Sequence, residues 1–530
     1  MKSSVFAADA EPEGSPAALP AVVGGQSDLR YSRAVQWAQA LVLIALFTAP
    51  AVMSLRTAYV ADPDVWWHLR TAEWMVEHRT VPRADSSLFS IPGTGTNWAS
   101  YSWLFELLIS QLFQRLGLVG IVAYSTGMAV AIAVALHRMI RRLQADFTIT
   151  VLLTALACYS ISRLYTPRPW LFSILFFVLE LDLLLRARST GKHQGLLWLP
   201  VIFAFWANLH IQFVDGLLVL AIALAEVLLA RRWSRIQTGI RVRWMCGVSI
   251  ACLLAVLLNP YGWKIYRVAY DLGTQPGVLN VVSEFQPLAF RYLGDWFVLF
   301  LALAAVATLA WARRFAFFES GLLLFAILVS FRTQRDLWVV VIAACAIVAA
   351  GVKGNEKNSL RATIYTASFI LLATTFAVIL AFLVLHVNNS RLRTDLAEEL
   401  PVRAVESVKE KGWTGPLYND FNWGGYLIWA LRMPVGIDGR AALYGDERIN
   451  RFNATWNGQP GWDSDPDLVK AGLVIGPVQA PLTQLLRTDQ RFQLVYEDKL
   501  TVVFIARRGV SSAIMSAPAA GNSAVSVPAK

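Results

Sequence analysis

Ala61-Asp62-Pro63-Asp64-Val65-Trp66-Trp67-His68 lies just past the first long apolar stretch of the chain. It sets two carboxylates one residue apart at what should be the water-facing mouth of a membrane helix bundle. Pro63 disfavours helical backbone at Asp62, so the step into Asp64 reads as extended, and in extended chain residues i and i+2 point the same way. Both acids are therefore expected to face one spot. Asp64 is also placed to cap a helix from Val65 to about His78, in which Trp66, Leu69, Ala72, Met75 and Val76 form an apolar stripe. Such a helix would lie along the membrane surface.

Around this stretch, 56% hydrophobic residues, 20 Trp and only 16% charged residues in a chain of 530 do not describe a soluble protein. The net charge of +11 comes from short basic clusters between apolar runs, the pattern that orients membrane proteins, so a nucleic-acid partner is excluded. All four cysteines, Cys158, Cys246, Cys252 and Cys345, fall inside apolar segments, which gives neither a disulfide framework nor a thiolate metal site.

The expected fold class is a polytopic α-helical membrane protein of about eleven spans with a small C-terminal extracytoplasmic α/β domain. Residues 1–32, rich in Ala, Pro, Gly and Ser, read as a disordered cytoplasmic tail. The first span is Ala34–Leu55, read as uncleaved; a signal peptide cut near Ala51 is the alternative. Further apolar runs at about 118–137, 148–165, 169–187, 195–210, 213–230, 244–259, 295–312, 315–331, 335–352 and 361–387 complete a transmembrane domain over 33–387. With the N-terminus cytoplasmic, each inner loop is basic: Arg138, Arg141 and Arg142; Arg186, Arg188 and Lys192; Arg231, Arg232, Arg235, Arg241 and Arg243; Arg313 and Arg314; Lys353, Lys357 and Arg361. The loop 56–117, the loop 259–294 and everything after His386 then face outward. In residues 388–508, β-like runs at Pro416–Asn419, Pro434–Ile437, Gly472–Gly476, Phe492–Glu497 and Thr501–Ala506 alternate with helical stretches near Val402–Lys411, Tyr426–Leu431 and Leu482–Leu486. Residues 509–530 read as a second disordered tail.

Asp62 and Asp64 are read either as a helix cap beside a solvated loop acid or as a general base at the membrane surface, with a divalent metal left open as cofactor. His68, one helical turn on, reads as a partner or ligand or else as a polar anchor at the interface, and Glu106 ends the amphipathic segment Tyr101–Glu106 of the same loop. An outer face selected against positive charge still presents Arg163 and Arg168 in one tight turn and Arg332 and Arg335 in another. Arginines at helix ends either snorkel to headgroups or grip a phosphate bidentately. Asn208 and His210, at the end of a span beside Gln212 and Asp215, face either a cavity or a neighbouring helix. Asn259-Pro260-Tyr261-Gly262 is a helix stop, Glu284 is an outer-loop acid with no visible partner, and Gly424 and Gly425 permit a tight backbone in a structural turn.

The arrangement resembles the GT-C superfamily of membrane glycosyltransferases: an inside N-terminus, an acidic motif early in a large first outer loop, two surface helices there, many short spans and an outer C-terminal domain. The motifs that carry the resemblance over most of 34–508 are Asp62-Pro63-Asp64-Val65-Trp66-Trp67-His68-Leu69-Arg70, Pro167-Arg168-Pro169, Trp206-Ala207-Asn208-Leu209-His210, Gly424-Gly425-Tyr426 and Ile437-Asp438-Gly439-Arg440. A second acidic pair of the family type is not evident in the loop. The resemblance implies transfer of a sugar from a polyprenyl-phosphate donor to a lipid, glycan or protein acceptor at the outer face of the bacterial inner membrane, with inversion. It puts the catalytic acid at Asp62 or Asp64, and His68, Glu106, Arg168, Asn208, His210, Arg332 and Arg335 are the residues expected to bind substrate. The competing classes are a non-catalytic transporter or scaffold for lipid-linked glycans, and a phosphoglycosyl- or acyltransferase using the same cleft.

Overall fold

The structure, a computed structural model, describes residues 24–507 apart from 58–59, 86–88, 92–97, 234–235, 237, 275–282, 313–315, 356–358 and 360–363. The expected C-terminal tail 509–530, residues 1–23 of the N-terminal one, and the basic loop residues Arg235, Arg313, Arg314, Lys357 and Arg361 lie outside the described residues. From Gly24 onward the chain is helical, so the first helix starts well before the apolar run that predicts it. Once a long helix is nucleated, each added turn needs no new nucleus.

Every apolar run read from the sequence is a helix: α1 (Gly24–Thr57), α4 (Leu118–Leu143), α5 (Phe147–Ser160), α6 (Trp170–Thr190), α7 (Trp198–Leu209), α8 (Phe213–Leu229), α9 (Val242–Val256), α11 (Leu293–Trp311), α12 (Phe317–Arg332), α13 (Leu337–Gly351) and α14 (Ile364–Val384). Five of the described helical stretches are both long and apolar enough to cross a membrane unaided, and the chain is a multi-pass membrane protein. A helix apolar all round must be covered or lipid-facing. The bundle uses both solutions: Leu337 to Ala349 of α13 are all buried at its centre, whereas Tyr365, Leu371, Leu372 and Phe376 of α14 are exposed on its perimeter.

Ion pairs fix which helix ends lie together. Arg142 closing α4 pairs with Asp182 of α6, and Arg188 of α6 bridges Glu226 near the end of α8 and Glu319 in the first turn of α12. Those ends form one face of the bundle. Loops 56–117 and 259–294 and the C-terminal part gather at the other, here the Asp62 face. That face carries α2 (Pro63–His78), α3 (Trp103–Leu116) and α10 (Lys264–Thr274).

The C-terminal part opens with α15 (Asn389–Glu399) and α16 (Val402–Lys411) and continues as a four-stranded sheet in the order β1-β2-β4-β3: β1 (Leu417–Asn419), β2 (Leu473–Pro477), β3 (Phe492–Glu497) and β4 (Thr501–Ala506). β1 runs parallel to β2 and the other pairings are antiparallel. Helices α17 (Gly424–Leu431) and α18 (Ala441–Trp456) join β1 to β2. The sequence misses α15 and α18, and the strand expected at Pro434–Ile437 is absent from the sheet. Its backbone partner is instead the first loop: Ser90 and Val435 form an isolated parallel bridge, Ile91 N–H donates to Val435 O at 3.0 Å, and Val435 N–H donates to Phe89 O at 3.1 Å.

Two further expectations for α2 are corrected. Its cap is Asp62, not Asp64: Pro63 occupies the first helical position, where a missing N–H is no loss, and Asp62 Oδ1 accepts from Asp64 N–H at 3.0 Å. Val76 does not join the apolar stripe, being 60% exposed, because α2 is covered by α17 and α3 rather than lying open on the membrane surface. Trp66 packs on Tyr426 and Trp429 of α17 at ring separations of 5.2 and 4.7 Å.

This contact needs glycine. A Cβ on Gly425 would lie 2.2 Å from the Pro63 carbonyl oxygen, and one on Gly424 would lie 2.0 Å from Ile437 O. Gly425→Ala should therefore lower the thermal unfolding midpoint of the purified protein. Gly127→Ala, where nothing lies within 4 Å of the new methyl, should hold or raise it, since alanine favours a helix by about 1 kcal/mol over glycine. Equal midpoints for the two variants would contradict the docking of α17 on α2.

Candidate active site at the junction of two cavities

Arg168 sits between Pro167 and Pro169 in the turn that leads into α6, a segment with little backbone freedom. Its carbonyl accepts from the Tyr124 hydroxyl at 2.9 Å, and its guanidinium lies 5.2 Å from the Trp170 ring. So held, Arg168 Nε donates to Asp62 Oδ2 at 2.6 Å and Nη1 to Asp64 Oδ2. The two acids do face one spot, and that spot is Arg168. Their roles differ. The Asp62 side chain is 4% exposed and caps α2, whereas that of Asp64 is 16% exposed and lines both cavities described below.

The loop 259–294 adds Glu284, whose carboxylate approaches Arg168 Nη2 at 3.9 Å and Arg335 Nη1 at 3.7 Å. The sequence shows no partner for this acid because both lie far along the chain. Arg335 also stacks 4.1 Å above Phe285 and lies 3.7 Å from Asp336, which Gln212 holds through a 2.6 Å hydrogen bond. Arg332, ending α12, lines the same cavity with no carboxylate partner among the described residues. Arg163, in the same turn as Arg168, lines one of these cavities with it and is paired with Asp295 at the start of α11.

His68 and Glu106 meet between α2 and α3: Nδ1 lies 3.1 Å from Glu106 Oε1, and Ser100 Oγ donates to Oε2. His210 lines the cavity with Nδ1 2.8 Å from Ser173 Oγ. Asn208 does not reach the cavity. It accepts from Trp103 Nε1 at 2.7 Å and donates to Ala204 O and Leu258 O, so its amide fastens α7 to α3 and α9. Burial pushes the Tyr101 phenol above its ordinary pKa, with Arg335 opposing, which leaves a neutral hydrogen-bonding group on the cavity wall.

Sequence spacing gives no hint of the roof. Arg440 of the C-terminal domain forks onto Asp438 at 2.9 and 2.7 Å and reaches Asp85 of the first loop, 355 residues away in sequence. Its guanidinium lies 4.9 Å from the Trp98 ring, and Tyr444 donates to Asp438. Burial works against the Arg440 charge, but Asp438, Tyr444 and Asp85 together outweigh it and hold the pKa well above the ordinary guanidinium value. The clamp presses Gly439 onto Asp64, so close that a Cβ there would lie 1.9 Å from Asp64 Oδ1.

Two cavities meet at this point. One, of about 430 Å³, runs from Asp64, His68 and Arg335 down past Val214, Leu218, Leu272 and Val329 between α8, α10 and α12. The other, of about 770 Å³, leads from Asp64 and Arg168 beneath the C-terminal domain to Glu399, Asn422 and Leu500. Among the described residues no three His, Cys, Asp or Glu side chains are gathered as a metal site requires. The arrangement can bring an anion and a hydroxyl compound to opposite sides of one carboxylate.

No family model and no curated protein matches the chain. Among solved structures it is similar to ArnT from Cupriavidus metallidurans bound to undecaprenyl phosphate, at 13% identity and a TM-score of 0.46 over 88% of this chain and 98% of that one. It is similar to the same protein in the apo state at 14% identity and 0.45 over 90% and 98%, and to the oligosaccharyltransferase of Archaeoglobus fulgidus in the apo form at 10% and 0.47 over 88% and 74%.

Removing Arg168 would leave the Asp62 and Asp64 carboxylates side by side without their cation. Breaking one half of a buried ion pair costs about 3–5 kcal/mol, and the part-exposed Asp64 places the loss toward the lower end. Arg168→Ala should depress the thermal midpoint clearly, and adding Asp62→Asn should recover part of the loss. A double variant no more stable than Arg168→Ala would show that the pairing does not hold this corner together.

Proposed function

We propose that the chain is a glycosyltransferase that moves a sugar from a polyprenyl-phosphate donor to a lipid, glycan or protein acceptor, with the Asp62 face on the outer side of the bacterial inner membrane. The observation that carries this reading is the meeting of two cavities at Asp64, one with an apolar wall between helices and arginines at its mouth. A prenyl chain fits the apolar wall of Val214, Leu218, Leu272 and Val329, and its phosphate then comes beside Arg332 and Arg335. Arginine stays charged and matches phosphate oxygens bidentately. Arg332, with no carboxylate partner among the described residues, supplies the charge.

The acceptor enters through the second cavity, so that its hydroxyl and the donor's phosphate approach the anomeric carbon from opposite sides. Asp64 takes the hydroxyl proton as the new C–O bond forms. The electron pair of the breaking bond goes to the phosphate oxygen, whose growing charge the arginines stabilise, and displacement from the opposite side inverts the anomeric centre. Asp62 orients Arg168 and caps α2, a supporting role. This makes Asp64 the base of the two candidates.

Undecaprenyl phosphate added to the purified protein should raise its thermal midpoint more than undecaprenol does, and Arg332→Ala and Arg335→Lys should each reduce that difference. Asp64→Asn should keep it, while transfer from polyprenyl-phosphate sugars in a membrane preparation falls by about two decades or more. Equal stabilisation by alcohol and phosphate, or full transfer by Asp64→Asn, would contradict the reading.

A further inference from the structure

The pair formed by His68 and Glu106 is left without a task by the chemistry above. It is also the most completely organised acid–base element on the cavity wall. The Glu106 side chain is 0% exposed and that of His68 4%. A carboxylate buried so deeply must be paired and hydrogen-bonded. Both oxygens are: Oε1 meets His68 Nδ1 at 3.1 Å, and Oε2 accepts from Ser100. An ionised carboxylate can only accept, so Nδ1 carries the proton and the ring is fixed in one tautomer. The Phe105 ring, 5.1 Å away edge to face, and Trp67, 3.6 Å away, hold its plane. With Nδ1 turned to Glu106, the edge left toward the cavity carries Nε2, for which the described residues supply no partner. A carboxylate behind Nδ1 fixes the ring with Nε2 toward the cavity, the orientation in which a histidine passes a proton.

Position decides which proton. His68 and Asp64 are four residues apart on α2, so their Cβ atoms lie roughly 5–6 Å apart on one side of the helix. Asp64 and Arg335 line both cavities, but His68 and Glu106 line only the one with the apolar wall, and Arg332 and His210 are on that wall alone. His68 is therefore on the side of the leaving group, away from the acceptor.

We propose that His68, oriented by Glu106, is the general acid that protonates the departing lipid phosphate. The proposal rests on the glycosyl-transfer reading and deepens it. As the anomeric carbon–oxygen bond breaks, its electron pair passes to the phosphate oxygen and the Nε2 proton follows, giving the lipid phosphate monoester. Asp64 meanwhile holds the proton taken from the acceptor hydroxyl. Transfer of that proton from Asp64 to Nε2 across one helical turn restores both groups, so each cycle consumes and releases no net proton.

The test is the affinity of the purified protein for undecaprenyl phosphate as a function of pH. The groups facing His68 are Glu106 from α3, Asp64 from its own helix, and Arg168, His210 and Arg335 from the rest of the cavity, all common to the wild type and His68→Gln except at the position changed. The phosphate's own second ionisation near about 6 is likewise common to every variant, so differences between variants decide. Loss of a hydrogen bond to a charged group corresponds to about ten- to hundredfold in affinity. His68→Gln should bind that much more weakly at the acid end, with a flatter pH profile. Glu106→Gln should weaken binding in the same direction, because the ring loses the carboxylate that orients Nε2. His68→Gln binding with the wild-type affinity and profile would overturn the proposal and leave the pair as a lock between α2 and α3. Should His68→Gln not fold, wild-type affinity in Glu106→Gln has the same force. Absence of binding by the wild type itself would defeat the glycosyl-transfer reading first, so the two failures are distinguishable.

Discussion

The hold of Arg168 on Asp62 and Asp64 is the contact on which the Asp62 face depends. Two carboxylates one residue apart at the start of a helix repel each other, and at this depth they need a cation. Arg168 supplies it from a turn stiffened by prolines on both sides. Through this one side chain the first loop is tied to α6, and through Glu284 and Arg335 to the turn at Ser283–Phe285 and the turn after α12. The same contact leaves the two acids unequal: Asp62 is committed to the cap and the arginine, while Asp64 keeps an edge toward open space.

The C-terminal domain is not an appendage to this site. Gly425 lets α17 rest on the first turn of α2, and Gly439 lies against Asp64 itself. The Arg440 fork on Asp438, closed by Asp85, fastens that arrangement to the first loop. A buried charge cluster adds little net stability against a well-packed apolar alternative, yet it tolerates only one register. That restriction suits a wall shared by two cavities, since a shift of either domain would move Gly439 off the carboxylate.

Much of this was legible in the sequence, and what was not has a common physical cause. The apolar helices announce themselves because a lipid-facing or bundle-core helix must be apolar along its whole length. The Asp62–Asp64 pair and Arg168 stand out by local chemistry: acids one residue apart around a proline, and an arginine between two prolines at the end of an apolar run. Asp85 does not, because its partner Arg440 is 355 residues away, and Glu284 shows no partner locally because Arg168 and Arg335 come from other turns of the bundle. The strand expected at Pro434–Ile437 shows the same limit. Its β pattern is real, but its hydrogen bonds go to Phe89 and Ile91 of the first loop rather than to the sheet. Asn208 illustrates the converse, a polar residue at a span end whose amide is taken up by Trp103, by Leu258 and by its own helix.

The account's central claim is that one cavity, walled by α8, α10 and α12 and headed by Asp64 and the arginines, holds a lipid phosphate. The most direct measurement is a cryo-electron microscopy map of the protein in nanodiscs with undecaprenyl phosphate. The account predicts phosphate density within hydrogen-bonding distance of Arg332 or Arg335, near His68, with the prenyl chain leaving past Leu218 and Val329. Lipid-phosphate density confined to the bundle perimeter, with that cavity holding none, would contradict it.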